Sequence, residues 1–393
     1  MNPVHNPYAP GAGTRPPALA GRETLLETVA VAMARIKEGR TAKNYLLIGL
    51  RGVGRTVLLD AIRDKADEVG LITLRVESPE NKSLPALLAP QLRKALLKLS
   101  LSKQAEDLAR RALKGLAGFV KALKIKYNDI ELGIDDEPEP GLADNGDLES
   151  DLVDLMEVAG QAAQKAGSAL ILCIDELQYV EESQLGALIT ALHRCAQQQL
   201  PVMLVGAGLP QLRGQMGNAK SYAERLFDFF FVGPLQQEDA NTALVIPAKQ
   251  EGVTFHPEAL THIFQETQGY PYFIQEWGKH TWDVATQSPI TLDDAVKASR
   301  LTIASLDESF FRVRFDRLKP SEKLYLRAMA EIGEGSHRSG DIADILSKGV
   351  TTLAPVRASL IKKGMIWSPG HGETAFTVPL FAAFMRRIMP DKI

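Results

Sequence analysis

Two short stretches of the chain carry residues whose types and spacing suit phosphate chemistry. The first, GLRGVGRT from Gly49 to Thr56, fits the pattern G-x-x-x-x-G-K-[ST] except that Arg55 stands where the lysine should be. The second is Asp175-Glu176, two acids that directly follow the apolar run from Ser168 to Ile174. Backbone amides of the first stretch would hold phosphate oxygens, while the acids would hold a divalent cation and act on water.

The residues on either side of the glycines predict the elements that position them. Asn44 to Ile48 is a short apolar run, which is typical of a buried parallel strand. Downstream, helical spacing relates Val57, Leu58, Leu59 and Ile62. A loop between a strand and a helix N-terminus attracts anions, because loop amides and the helix dipole both favour negative charge. The alternative is a chance glycine turn.

Asp175 and Glu176 lie where an acid needs a role, since an unpaired buried charge is strongly disfavoured. Beside a phosphate-binding loop, Asp175 is predicted to hold Mg²⁺ through water and Glu176 to orient the attacking water. The alternative is structural, because a helix N-cap followed by a first-turn acid often ends a strand.

The remaining sequence predicts an α/β fold followed by helices. Further strand candidates, alternating with helical segments, start at Gly70, Pro201 and Asp228, which predicts a parallel sheet. Beyond residue 236 the pattern is helical. After about residue 311, three helices are followed by two short strands around the turn from Ser368 to Gly372, and this order predicts a winged helix-turn-helix.

Composition limits the classes of protein. The 393 residues suggest two or three domains, and 45% hydrophobic with 24% charged residues is ordinary for a soluble globular protein. The two cysteines, Cys173 and Cys195, lack metal-ligand spacing. No signal-peptide pattern and no apolar run of about 18 residues occurs, so the expectation is a reduced, cytoplasmic protein without a membrane span.

Charge is unevenly distributed along the chain. The net charge is −3, yet the segment from Arg312 onward has 14 Lys and Arg against 8 Asp and Glu. Arg357, Lys362 and Lys363 near the third helix of this segment are candidates for duplex DNA contacts, unless they only offset the helix dipole. A basic helical run at 83–123 is either a DNA-facing insert or a solvated helix face. It precedes a hairpin candidate at 124–134 and an acidic loop.

Taken together, the motifs resemble AAA+ and STAND-like P-loop ATPases, near the archaeal-type ATPases and origin-recognition-type initiators. The resemblance covers roughly residues 3–390. It implies an N-terminal arm at 1–22, a P-loop ATPase core at 23–235 with an insert at about 83–150, a helical lid at 236–310 and a winged-helix domain at 311–393. The core of the arm, PPALAGR, is similar to the segment that packs against adenine in such ATPases, with a flexible tail as the alternative.

The resemblance also implies roles for individual residues. Glu176 would act on water, and Thr56 and Asp175 would hold Mg²⁺. Arg225 would act across a subunit interface, with a surface helix arginine as the alternative. Pro271 of Gly269-Tyr270-Pro271 would contact nucleotide from the lid. ATP or ADP would be held by Gly49, Gly52, Val53, Gly54, Arg55, Thr56 and Val57. The polar sensor usual after the fourth strand is not obvious, with Gln211 as a weak substitute, and Lys279 is the one candidate for the lid's sensor arginine.

Arg55 predicts nucleotide binding with slow hydrolysis. Arginine keeps the lysine charge but is longer, planar and forked, while the backbone amides, Mg²⁺ and the helix dipole are unaffected by the exchange. The leading hypothesis is an ATP-dependent switch coupled to DNA through the winged helix. The alternative is a non-hydrolysing regulatory module whose winged helix contacts protein, through a partner or self-association.

Overall fold

A computed structural model of the chain describes residues 1–11, 13–79, 82–124 and 137–391. The chain divides into two compact units. The sheet unit comprises Thr24–Ile48 and Arg55–Phe231, and the helical unit comprises Met1–Glu23, Gly49–Gly54 and the chain from Val232 onward. The hairpin predicted at 124–134 lies, but for its first residue, outside the described residues.

The sheet unit is built on five parallel strands in the order β2-β3-β4-β1-β5. The strands are β1 (Asn44–Ile48), β2 (Ile72–Glu77), β3 (Leu170–Asp175), β4 (Val202–Gly208) and β5 (Phe227–Phe231). The predicted α/β fold with a parallel sheet is therefore confirmed. Because the strands are parallel, the segments that follow β1, β3 and β4 leave from the same edge of the sheet.

The central strands are buried on both faces, as their continuous apolar sequences require. The helices of the sheet unit are α1 (Glu23–Lys37), α2 (Arg55–Glu68), α3 (Leu84–Leu99), α4 (Glu106–Ala122), α5 (Leu148–Lys165), α6 (Glu182–Gln197), α7 (Leu212–Ala219) and α8 (Ala223–Leu226). The apolar sides of α3 to α8 join one core with the sheet, and α1 and α2 also bury apolar residues.

The basic run at 83–123 folds as α3 and α4. Apolar residues of α4 such as Leu116 and Phe119 are fully buried in the core of the sheet unit. The basic residues Lys94, Lys98, Lys114 and Lys121 are exposed, while Arg110 and Arg111 pair with Glu106 and Glu139. The basic side chains thus occupy the solvent side of amphipathic helices.

The helical unit begins its long C-terminal part with α9 (Gln237–Gln250), α10 (Pro257–Thr267), α11 (Pro271–Val284) and α12 (Leu292–Leu306). A π-helical turn at Asp307–Phe311 leads into α13 (Arg312–Asp316). A small antiparallel sheet of order β6-β8-β7 follows among further helices. These elements are α14 (Pro320–Ile332), β6 (Ser336–Arg338), α15 (Ser339–Ile345), α16 (Val350–Lys362), β7 (Ile366–Trp367), β8 (Glu373–Phe376) and α17 (Phe381–Ile388).

Aromatic rings join the lid helices to the C-terminal helices in one core. Phe310 of the π turn stacks on Tyr272 of α11 with 4.8 Å between centroids, and Phe311 stacks on Phe384 of α17 at 5.3 Å. The π turn therefore contacts both groups of helices. Helix-inserted π turns occur frequently at functional sites.

The N-terminal arm packs on α11 over its first eight residues. Tyr8 is buried, and its hydroxyl donates to the Leu244 carbonyl at 2.5 Å. Burial raises the pKa of Tyr8 well above its ordinary value. Asn6 donates to Asp283 at 2.9 Å, and the Trp282 indole donates to the Asn2 carbonyl at 3.0 Å. Hydrogen bonds to α9 and α11 therefore hold this part of the arm.

No helix in the described ranges has the length and apolar character needed to cross a membrane.

Candidate nucleotide-binding site

The loop Gly49–Gly54 has a backbone that demands its glycines. Gly52 and Gly54 have φ angles of +83° and +89°, which residues with a Cβ rarely adopt. A Cβ on Gly49 would lie 2.2 Å from the Val232 carbonyl oxygen. In contrast, a Cβ on Gly54 would meet nothing within 4 Å. The open side at Gly54 is where a bulky group such as phosphate can approach the backbone.

Two backbone hydrogen bonds tie this loop to later parts of the helical unit. The Tyr272 amide donates to the Gly52 carbonyl at 3.1 Å, and the Arg51 amide donates to the Thr377 carbonyl at 3.1 Å. Tyr272 follows Pro271, the first residue of α11, so α11 contacts the loop with its first turn. Thr377 directly follows β8 and is fully buried.

Gly269 forms the turn that directly precedes α11. Its φ is +74°, and an added Cβ would lie 2.3 Å from the Leu235 carbonyl oxygen. The Leu235 amide also donates to the Gly269 carbonyl at 2.8 Å. Proline at the first helical position is favoured because its ring presets φ and its missing amide is not needed there. In the Gly-x-Pro element of this chain, the glycine thus allows the turn and the proline starts the helix.

Within the sheet unit, the two predicted motifs meet through their side chains. The chain runs from the loop into α2, which begins at Arg55 and has Thr56 in its first turn. Arg55 Nη2 lies 3.5 Å from Glu176 Oε1. The Arg55 side chain is 6% exposed and that of Glu176 is 19% exposed. The arginine that begins α2 and the second acid of the pair therefore lie side by side.

Asp175 is the last residue of β3, and its carboxylate is 3% exposed. One oxygen accepts the Glu176 amide at 2.8 Å, and the other lies 3.5 Å from Nη2 of Arg75 on the adjacent strand β2. Arg75 also donates to Asp60 of α2 at 2.9 Å. A buried carboxylate needs such compensation, because a lone charge would be too costly. Arg75 was not singled out by its sequence context.

Glu176 has a left-handed backbone, with φ of 54° and ψ of 37°. This conformation costs a residue with a Cβ about 1–3 kcal/mol and is enriched at functional sites. The Glu176 Oε2 atom accepts a hydrogen bond from Gln178 Nε2, and Gln178 Oε1 accepts from the Leu209 amide at 3.0 Å. Gln178 is a site residue that sequence reasoning missed, although its place two residues after Glu176 was a signal.

The arrangement fits a nucleotide with a divalent cation. Asp175 and Thr56 offer hard oxygen donors of the kind Mg²⁺ takes, with water completing the set. In the sheet unit, the start of α2, a 14-residue helix, offers amides of the kind that hold phosphate. In the helical unit, the backbone at Gly54 is open on the side where a Cβ would stand. Both features belong to the residues present, so ATP or ADP with Mg²⁺ is chemically compatible with the site.

Other predicted site residues lie elsewhere. Arg225 on α8 is exposed and lies two residues before the start of β5, at the amino edge of the sheet and opposite the edge from which Glu176 leaves. It therefore does not join Glu176 within this chain. Lys279 pairs with Asp283 one turn along α11 at 3.4 Å. Gln211 is the N-cap residue of α7.

The three basic residues proposed for DNA contact differ in their surroundings. Arg357 Nε donates to Thr374 at 2.9 Å and its Nη2 donates to Ser368 at 2.8 Å, which ties α16 to β8 and the turn before it. Lys363 donates to buried Glu322 at 2.7 Å. Lys362 is exposed. Two of the three side chains are thus engaged inside the C-terminal region.

Comparison with known families and structures places this fold. Residues 18–205 match the family described as AAA ATPase domain, and residues 308–385 match a domain of unknown function (DUF8462). A Walker-type ATPase of Pyrococcus abyssi, PABY2304, is similar at 17% identity and TM-score 0.58, over 95% of this chain and 97% of that one. No curated protein matches the chain.

Other solved structures are similar at TM-scores below 0.5. The Aeropyrum pernix ORC1 protein in complex with DNA has 16% identity and TM-score 0.48, over 95% of this chain and 94% of that one. The Thermotoga maritima RuvB Holliday junction branch migration motor has 17% identity and TM-score 0.45, over 93% and 96%. The family match, the parallel sheet and the meeting of the two motifs agree that residues 18–205 form an AAA ATPase domain.

Proposed function

We propose that this protein binds adenine nucleotide with Mg²⁺, hydrolyses ATP slowly and uses the bound nucleotide as a switch. The observation that carries the proposal is the 3.5 Å approach of Arg55 to Glu176. It joins the end of the glycine loop to the acid suited to act on water. The family supports nucleotide-dependent ATPase activity, and the rate and the coupling are our proposals.

Each residue has a role that follows from its place. Amides of Gly52, Val53, Gly54 and Val57 hold phosphate oxygens, and Thr56 with Asp175 holds Mg²⁺, which offsets charge on the phosphates. Arg55 supplies a cation to the terminal phosphates. Glu176 accepts a proton from, or orients, the attacking water. Pro271 contacts the nucleotide from the start of α11.

Slow turnover follows from the position of Arg55. Its guanidinium is nearly buried and pairs with the carboxylate that must act on water. If the Arg55 guanidinium pairs with Glu176, it interacts less strongly with a phosphate. Arginine is also longer than lysine and does not place a compact charge between phosphates.

The loop contacts give the switch a route to the rest of the helical unit. A nucleotide bound to the loop would act on the backbone that forms the Gly52–Tyr272 and Arg51–Thr377 hydrogen bonds. These hydrogen bonds connect the loop to α11 and to the segment after β8. Tyr272 in turn stacks on Phe310 of the π turn. We propose that occupancy of the loop changes the C-terminal region through these contacts.

The output of the switch is proposed to be duplex DNA, bound through the C-terminal region as a winged helix. The basic balance of this segment supports it, and exposed Arg338, Lys348 and Lys362 are the side chains available for phosphate. A protein contact is the second candidate. It is favoured by the internal use of Arg357 and Lys363, and by small or hydroxyl residues on the exposed side of α16, namely Thr351, Ala354, Pro355 and Ala358.

Arg225 is proposed to act on the nucleotide of a second copy. It is exposed and lies at the sheet edge away from Glu176 of its own chain, so only a neighbouring molecule could use it for catalysis. Mixing Arg225→Ala chains with Glu176→Gln chains tests this. Recovery of turnover in the mixture supports action between copies, and unchanged inactivity in the mixture contradicts it.

Calorimetric titration with ATP and ADP, with and without Mg²⁺, tests the main proposal. We expect both nucleotides to bind and Asp175→Asn to weaken the Mg²⁺ dependence, because the metal loses its carboxylate. A heat signal equal to buffer dilution at every nucleotide concentration would overturn the assignment.

A further inference from the structure

Gln178 lies in a short 3₁₀ turn, Leu177–Tyr179, directly after the two acids, and is 6% exposed. Its side chain amide forms two hydrogen bonds, one with a residue that follows β3 and one with a residue that follows β4. Nε2 donates to Glu176 after β3, and Oε1 accepts from the Leu209 amide after β4. Gln178 thus spans two adjacent strand ends of the sheet.

The partners fix which way the amide faces. The Leu209 backbone N–H can only donate, so the amide oxygen must face it. The nitrogen then faces Glu176, whose ionised carboxylate can only accept. A flipped amide would oppose donor to donor and acceptor to acceptor, and each buried unsatisfied group costs about 1–3 kcal/mol.

Glu176 has a different partner on each carboxylate oxygen. Oε1 is 3.5 Å from Arg55, and Oε2 accepts from Gln178. Arg55 is the partner that a bound phosphate would compete for, whereas Gln178 is anchored to the backbone after β4. When Arg55 turns to phosphate, the Gln178 hydrogen bond is the one that still orients the carboxylate.

We propose that Gln178 is a positioning residue for Glu176. It holds the carboxylate that acts on water and ties it to the end of β4, a place where the chain has Gly206 and Ala207 instead of a polar side chain. The proposal rests on the proposed role of Glu176 in hydrolysis. It adds to that role the group that sets the carboxylate geometry, and a route by which movement at the end of β4 reaches it.

Three variants separate positioning from a purely structural role. Gln178→Met removes both hydrogen bonds at similar size. Gln178→Glu can still accept from Leu209 but offers Glu176 no N–H. Gln215→Leu is the matched control, because Gln215 donates to the Gln178 backbone carbonyl at 3.3 Å and does not touch its side chain amide.

Steady-state hydrolysis and nucleotide titration give the first readout. We expect both Gln178 variants to lower kcat about ten- to hundredfold, since a misplaced catalytic group costs that much, with nucleotide Kd changed less than about twofold. Gln215→Leu should keep kcat. Near-normal kcat in Gln178→Glu would show that only the hydrogen bond from the Leu209 amide matters, and would overturn the proposal.

Unfolding of the nucleotide-free protein gives a second readout that does not depend on turnover. Denaturant midpoints of Gln178→Met, Glu176→Ala and the double variant form a cycle. We expect a smaller Gln178→Met shift in the Glu176→Ala background, because only the Leu209 hydrogen bond is then left to lose. Additive shifts would overturn the link. If nucleotide binding itself fails, the proposed function is wrong, and the cycle still decides whether Gln178 holds Glu176.

Discussion

Arg55 is where the chain departs from the phosphate-binding pattern, and its pairing with Glu176 decides what an exchange should do. Arg55→Lys restores a compact charge that reaches phosphate with less hold on Glu176, so we expect kcat for ATP hydrolysis to rise severalfold. A phosphate-release assay under saturating ATP measures it. Slower hydrolysis by the lysine variant would mean that arginine is an adapted part of this site.

Glu176→Gln provides the partner experiment. The amide keeps the size of the side chain but cannot take a proton, so we expect turnover to fall at least about a hundredfold while nucleotide Kd stays near that of the native chain. Nucleotide titration beside the rate assay separates the two quantities. Equal losses in binding and turnover would show that residue 176 serves binding and not the water.

Gly54 tests the loop as a phosphate cradle. Gly54→Ala should cost nucleotide affinity at least about tenfold, because the methyl group occupies the open side and φ of +89° is strained for alanine. Gly70→Ala is the control, since Gly70 has φ of +75° and equally open surroundings but lies outside the loop. Both variants should lose similar stability, and only the first should lose binding. Equal affinities in the two variants would contradict the cradle.

At the scale of elements, the contact between α14 and α16 depends on one buried acid. Burial by itself would raise the pKa of Glu322, but hydrogen bonds from Lys363, Lys319 and Ser359 lower that pKa below its ordinary value. A lowered carboxyl pKa stabilises the fold above the ordinary pKa of about 4.3, and this stability is lost as the pH falls through the folded pKa.

Lys363→Met should therefore destabilise the protein in a pH-dependent way. At pH 7 we expect a loss of about 1–3 kcal/mol in unfolding free energy, because Glu322 loses a charged donor. The loss should shrink as the pH falls below the ordinary carboxyl pKa and the Glu322 carboxylate takes up its proton. Urea titrations at several pH values measure it. A loss that is the same at pH 7 and pH 3 would assign it to lost packing of the lysine stem.

Sequence reasoning reached the elements with strong local signals. The central strands β1, β3 and β4 are apolar runs buried along their whole length, and the start of α11 is marked by Gly269 and Pro271. It missed β6, which is three residues long with one buried residue, and α17, whose Phe381, Phe384 and Met385 have helical spacing but follow a Pro-Leu turn. Short elements are stabilised by tertiary packing, here the aromatic core around Phe311.

The site shows the same division. The spacing of the glycines identified Arg55, and the position of two adjacent acids after an apolar run identified Asp175 and Glu176. Arg75 and Gln178 act through partners on neighbouring strands, and β2 and β4 come far from β3 in sequence. The order of the strands in the sheet brings these residues close to their partners, and this order cannot be predicted from the local sequence pattern.

At the scale of the whole molecule, the open matter is what the C-terminal region touches when nucleotide changes. Lys362 and Lys363 are neighbours in sequence with different surroundings, which makes them a matched pair. Lys363→Glu would set a second carboxylate against Glu322 and should unfold this region, so loss of duplex binding in that variant would not report a contact. Lys362→Glu changes an exposed charge and should leave thermal unfolding unchanged.

Fluorescence anisotropy with a labelled duplex, in ATP and in ADP, tests the DNA proposal with that variant. If Lys362 contacts phosphate, Lys362→Glu should weaken duplex binding severalfold and reduce the salt slope by about 1, in a sequence-tolerant way. The native chain should bind differently in the two nucleotides, because the loop reaches the segment after β8 through Arg51 and Thr377. No duplex binding at low salt in either nucleotide would contradict DNA as the output and leave the exposed side of α16 as a protein contact.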